Sequence, residues 1–240
     1  MRTRVKICGL TRSDDVIFAV KAGADAVGFV FYKQSPRYVS PETARELANL
    51  VPAWVSTVGL FVNSEFNEIS EVADYVGVSH VQLHGDEPET ICKKISRPVI
   101  KAIRLPTSGI ITQVSLDKFT KISKSYLDCC SAILLDSDTQ SFGGSGKTFN
   151  WEVLEELTPK FNGKWVLSGG LNVGNIEQVM TRFNPPFVDV SSGVELKDVG
   201  KERSGIKLSL IHISEPTRPR LNSYAVFCMK NGRWTSNECF

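Results

Sequence analysis

Two residues in this chain have the type and placement for acid–base chemistry on a small molecule. Cys8 closes the apolar run Val5-Lys6-Ile7-Cys8 and is followed by Gly9. A cysteine in such a run reads first as a small core residue. At the C-terminal end of a strand, next to a loop, its thiolate is also available as a general base or nucleophile. Asp136 closes Ala132-Ile133-Leu134-Leu135 and precedes Ser137. A carboxylate after four apolar residues is costly in a core unless it is paired or faces a site. It reads either as a turn cap with Ser137 or as a catalytic acid. Arg37 follows Ser35-Pro36 and suits a fork onto a carboxylate or phosphate, although spacing alone fits a surface arginine equally.

Two further segments are rich in small and hydroxyl residues. Leu167 runs into Ser168-Gly169-Gly170-Leu171, and Asp189-Val190 runs into Ser191-Ser192-Gly193. Each alone reads as a tight turn. Together, after the last two strands of an alternating chain, they match a phosphate cradle, in which glycine lets backbone N–H groups approach and serine adds donors. The segment Gly143-Gly144-Ser145-Gly146-Lys147-Thr148 is superficially like a P-loop, but the first glycine of that motif is missing. It reads instead as a loop over the mouth after strand six.

These residues need a scaffold that collects strand ends at one place. From Arg4 to Val190, short apolar runs alternate with amphipathic stretches. The expected strands are 5–8, 26–30, 56–61, 80–83, 99–103, 132–136, 165–167 and 188–190. Most are continuously apolar, as strands covered on both faces should be. Ser13-Asp14-Asp15, Ser40-Pro41-Glu42, Asn63-Ser64-Glu65 and the stretch 85–89 read as helix starts. Seven strand-then-helix units and an eighth strand fit a (β/α)8 barrel, whose sites lie at the C-terminal strand ends. A doubly wound open sheet is the alternative, because alternation does not prove closure.

Composition excludes other classes. The formal charge of +2 provides no basic footprint for nucleic acid. No run approaches the about 20 apolar residues of a membrane span, and the first residues lack the apolar core of a signal peptide. The six cysteines form no C-x-x-C pair, and the three histidines form no H-E-x-x-H, so neither zinc-binding spacing is present. Reduced thiols and a cytoplasmic location are expected.

The chain resembles the phosphoribosylanthranilate isomerases of tryptophan biosynthesis. The resemblance rests on K-I-C-G-L-T (6–11), S-P-R (35–37), V-G-L-F-V (58–62), V-Q-L-H-G (81–85) and K-A-I-R (101–104). It continues in L-L-D-S (134–137), G-G-S-G-K-T-F-N-W (143–151), L-S-G-G-L (167–171) and V-D-V-S-S-G-V-E (188–195). It implies a (β/α)8 barrel that converts N-(5-phosphoribosyl)anthranilate to 1-(2-carboxyphenylamino)-1-deoxyribulose 5-phosphate, without cofactor or metal. It further implies Asp136 as general acid, Cys8 as general base and Arg37 on the anthranilate carboxylate. Gly169, Gly170, Ser191, Ser192 and Gly193 would hold the phosphate, with Asp189 near the substrate. Gln82 and His84 match the family pattern without an assigned role. The phosphorylated substrate is the expected partner, with neither nucleic acid nor membrane, and fusion to another tryptophan-pathway domain is left open. Paired aspartates at strands one and five would mark a histidine-pathway sugar isomerase, but Cys8 and Arg104 stand near those places.

The family pattern stops near residue 207. Residues 208–240 lack the eighth amphipathic helix that should close the outer ring, so that helix is missing or replaced. Residues 208–218 resemble the in-frame translation of a transposase sequencing-library adapter, and 222–229 resemble its continuation. The chain is therefore expected to divide into a barrel, 1–207, and a non-family tail, 208–240, that is artefactual or disordered, with a genuine lineage-specific extension as the alternative. Without the helix, the barrel is expected to lose apolar burial and to be destabilised.

Overall fold

The computed structural model describes residues 2–107, 112–138 and 148–195. Eight strands follow one another: β1 (Arg4–Cys8), β2 (Ala26–Val30), β3 (Ser56–Phe61), β4 (His80–Leu83), β5 (Val99–Pro106), β6 (Ala132–Asp138), β7 (Trp165–Leu167) and β8 (Phe187–Val190). Each pairs with the next in parallel, and β8 returns to pair with β1, closing the barrel. Closure removes the open doubly wound sheet from consideration, since such a sheet would leave β1 and β8 without each other.

Among the described residues seven α-helices alternate with the strands: α1 (Ser13–Lys21), α2 (Pro41–Ala48), α3 (Phe66–Val76), α4 (Glu89–Lys94), α5 (Gln113–Leu127), α6 (Leu154–Leu157) and α7 (Ile176–Phe183). The expected eighth helix, its replacement and the division at 207/208 all lie outside the described residues, as does most of the loop 142–148.

Three helix starts differ from the sequence expectation. Ser13 is the first residue of α1 rather than its cap; Arg12 takes the cap position without a side-chain bond. α3 begins after Glu65, because Asn63 is used elsewhere. Asn63 adopts a left-handed backbone (φ 52°), and its side-chain oxygen accepts from the Asp86 N–H at 2.7 Å. It thereby ties the β3–α3 loop to the β4–α4 loop. α4 starts only at Glu89. The start of α2 is as expected: Ser40 Oγ accepts from the Thr43 N–H at 3.2 Å, and Pro41 opens the helix. β5 and β6 outrun the apolar segments that announced them. Their ladder continues through Arg104↔Asp136 to Pro106↔Asp138, since backbone pairing tolerates polar side chains at a barrel mouth.

Alternate residues of each strand face opposite ways. One set packs with the helices into the main core, including Ile7, Val27, Phe29, Leu83, Ile133 and Leu135. Each such side chain contributes about 1.5–3 kcal/mol on burial. The other set fills the barrel interior in two smaller clusters. Ala102, Leu134 and Val166 form one, and Cys8, Val30, Leu60 and Val62 the other. The interior is thus plugged with apolar side chains, and its polar residues face the mouth.

Candidate active site at the barrel mouth

The strand register determines which charges meet. Lys6 on β1 is the direct neighbour of Asp189 on β8. Its ammonium donates to both carboxylate oxygens, at 2.9 and 3.0 Å, and both side chains are buried. Burial is the largest single effect and lowers the lysine pKa, but the charges and hydrogen bonds of Asp189 and Cys8 together outweigh it and Lys6 is raised above 10.5. At Asp189 burial is the larger effect and pushes the carboxyl above the ordinary aspartate value, while Lys6 pulls it down. Two short contacts from one nitrogen make this an ion pair.

Cys8 stands two residues along the same strand. It is 8% exposed, and burial pushes its thiol pKa above 9.0. Lys6 and Arg37 pull it down and Asp189 pulls it up. The charges around Cys8 therefore favour the thiolate through Lys6, within a site whose dryness opposes it.

Asp136 is 3% exposed near the end of β6, and both of its oxygens are engaged. Oδ1 accepts from the Ser137 N–H at 2.8 Å, and Oδ2 lies 2.9 Å from His84 Nε2. The turn-cap reading and the site reading of Asp136 are both realised, one on each oxygen. The Gln82 amide nitrogen lies 2.9 Å from His84 Nδ1. If Gln82 donates to Nδ1, the ring hydrogen sits on Nε2 and faces Asp136. Gln82, His84 and Asp136 thus form a buried chain from β4 to β6, and Gln82 Oε1 has no partner among the described residues.

One cleft joins these groups to the two turns. Asp136, Asp189, residues 168–171 and residues 190–193 line it together. Gly169 is required on two counts. Its φ is +86°, and a Cβ there would sit 2.8 Å from the Ser137 nitrogen and 3.0 Å from Asp136 Oδ1. Gly193 is required by proximity, because a Cβ would collide with the Leu171 carbonyl oxygen. The two turns are therefore packed backbone against backbone. The side-chain amides of Asn172 and Asn175 donate to the Gly170 carbonyl at 3.1 and 2.9 Å, which fixes the first turn.

Arg37 reaches the mouth from the loop after β2. Its Nε and one terminal nitrogen donate to the two carboxylate oxygens of Glu195, at 2.6 and 2.8 Å. The side-on edge of the guanidinium is thus already occupied by this chain.

Of the nine residues singled out in the sequence, Asp136, Gly169, Gly170, Asp189, Ser191, Ser192 and Gly193 line one cleft. Cys8 joins them through Lys6 and Asp189. Arg37 is connected to the second turn through Glu195. Sequence reading missed Lys6, whose signal was a lone cation in an otherwise apolar strand. It also left His84 and Gln82 without roles, since nothing in a linear sequence shows β4 facing β6.

A closed parallel barrel with buried carboxylates at its mouth and Gly/Ser turns after β7 and β8 has the architecture of the phosphate-handling (β/α)8 barrel enzymes. A family model described as N-(5′-phosphoribosyl)anthranilate (PRA) isomerase matches residues 5–208. The chain belongs to that family. The N-(5′-phosphoribosyl)anthranilate isomerase of Thermotoga maritima is 44% identical over 207 residues, covering 85% of this chain and 95% of the relative. A crystal structure of phosphoribosyl anthranilate isomerase from the same organism superposes with a TM-score of 0.74 at 42% identity, covering 89% of this chain and 99% of its own. A second crystal structure, of phosphoribosyl anthranilate isomerase in complex with reduced 1-(o-carboxyphenylamino)-1-deoxyribulose 5-phosphate, has a TM-score of 0.68 at 40% identity and covers 84% of this chain and 93% of its own.

Proposed function

We propose that this chain isomerises N-(5′-phosphoribosyl)anthranilate to 1-(2-carboxyphenylamino)-1-deoxyribulose 5-phosphate in tryptophan biosynthesis, in the cytoplasm. The observation that carries this reading is the single cleft in which Asp136 meets the two Gly/Ser turns. In this reading Asp136 is a proton donor beside a phosphate cradle.

In this reading Asp136, in its acid form, gives its proton to the furanose ring oxygen. The C1–O bond breaks, and the nitrogen lone pair completes an iminium. Cys8, as thiolate, removes the C2 proton, and the C2–H electrons form the enolamine. Tautomerisation then yields the ketone. His84 positions Asp136 through the 2.9 Å contact, and Lys6 supplies positive charge beside Cys8. Gly169, Gly170, Ser191, Ser192 and Gly193 hold the phosphate, and Arg37 holds the carboxylate of the anthranilate ring. Each proton transfer by a positioned group supplies about 10²–10⁴ in rate.

The test is the loss of substrate fluorescence on adding purified chain, run beside Cys8→Ala. Turnover that disappears in the variant supports the assignment. A soluble, cooperatively melting chain without turnover overturns it.

A further inference from the structure

The same fold gathers three cysteines that do not line the cleft. Cys92 lies on α4, and Cys129 and Cys130 lie in the turn between α5 and β6. Their sulfurs all lie within 4.8 Å of one another, and those of Cys129 and Cys130 are 4.0 Å apart. This spacing is too long for a disulfide, whose S–S bond is about 2.05 Å. It is close to the separation of about 3.8–4.0 Å that follows for thiolates sharing one ion at the zinc–sulfur distance of about 2.3 Å. We propose that Cys92, Cys129 and Cys130 form a three-thiolate site for a soft divalent cation of the zinc class, with water as the fourth ligand.

Two features support this beyond the convergence itself. The first is access: Cys92 and Cys130 are buried, whereas Cys129 is only partly so. One ligand therefore faces solvent, where an ion enters and a water remains. The second is charge. The buried Lys101 ammonium on β5 stands close enough to attract the Cys92 thiolate, and its partner Glu87, 3.0 Å away from the ammonium, opposes that attraction. Three thiolates and a divalent ion leave one net negative charge, which Lys101 offsets only in part. On binding, the thiol protons pass to water as the three metal–sulfur bonds form.

The linear sequence hid this site. Its spacing is C-x36-C-C, far from any zinc-finger pattern, and only the packing of α4 against the α5–β6 turn closes it. An ion there would pin α4, a helix of only six residues, to the base of β6, the strand that carries Asp136.

The experiment uses the full chain with Cys228 and Cys239 changed to serine, so that neither tail thiol competes. Co2+ is titrated as an optical probe and then displaced by Zn2+. The expected result is one ion per chain, with a thiolate charge-transfer band and the visible bands of tetrahedral cobalt. Cys92→Ser, Cys129→Ser and Cys130→Ser should each weaken Zn2+ binding at least tenfold, about the loss that even an outer-shell partner produces. Cys8→Ala should bind as the parent does. Zn2+ should also protect Cys129 from alkylation in the chain with all three thiols intact, which tests the site without relying on the folding of any serine variant at it. Absence of a thiolate band, binding that survives in all three variants, or unprotected Cys129 overturns the proposal.

Discussion

Lys6 Nζ donates to both carboxylate oxygens of Asp189, at 2.9 and 3.0 Å, across the β1–β8 seam that closes the barrel. The pair does two jobs: it neutralises a buried carboxylate and places a cation beside Cys8. Lys6→Met should therefore push the Cys8 thiol pKa further up, moving the acidic limb of the turnover–pH profile to higher pH. Removing one partner of a buried pair should also cost about 3–5 kcal/mol of stability. Lys6→Met/Asp189→Asn should recover much of that loss without restoring the profile. Lys6 is raised above 10.5 in the fold, so its contribution is complete below pH 10.5 and is lost as pH rises through the folded value. Melting temperature against pH and kcat against pH check the two effects separately.

Cys8→Ala and Asp136→Asn should each reduce kcat by about 10²–10⁴. The circular dichroism of both should match the parent, because alanine fits the small interior cluster and asparagine keeps the Ser137 contact. Near-parental turnover in either variant would remove that residue from the mechanism.

In the proposed mechanism His84 positions Asp136 through their 2.9 Å contact. His84→Ala should lower kcat by up to about 100-fold, the cost of a misplacement of about 1 Å, with KM little changed. His84→Gln, which returns a donor near the position of Nε2, should recover part of the loss. A purely structural histidine would instead lower the melting temperature and leave the kcat of the folded fraction unaltered.

Glu195 holds the Nε edge of Arg37. Arg37→Lys cannot serve Glu195 and a substrate carboxylate with the same planar geometry. Its KM should rise roughly ten- to a hundredfold, the equivalent of about 1.5–3 kcal/mol for a charged hydrogen bond. Glu195→Ala should also raise KM, since the guanidinium loses its alignment. Steady-state kinetics with kcat and KM resolved is the test.

The tail is testable at the level of DNA and of stability. Genomic resequencing through codons 208–229 should break the reading frame of the present 3′ end; a continuous genomic read would refute the adapter origin. Replacing residues 208–240 with an amphipathic helix patterned to cover β1, β7 and β8 should raise the melting temperature. An unchanged melt would show that the barrel does not need that cover.

The order and type of the elements were legible in the sequence, because strands covered on both faces are written as apolar runs and their connections as amphipathic helices. β2, β3, β4 and β7 have the expected bounds. The ends of β5 and β6 were not legible, since backbone pairing carried them past the apolar residues into Arg104 and Asp138. The two turns that line the cleft were legible too, because glycine and serine at matching strand ends are local signals. Closure of the barrel was not: pairing of β8 with β1 joins residues more than 180 positions apart, and no local pattern encodes it. The same holds for every relationship that closure creates. Lys6 finds Asp189 only through register, His84 finds Asp136 only because β4 and β6 share an interior, and Cys92 finds Cys129 and Cys130 only through helix packing. Residue type along the chain therefore determined which groups were available, and tertiary structure decided which of them face one another, because contact depends on register and packing rather than on distance in sequence.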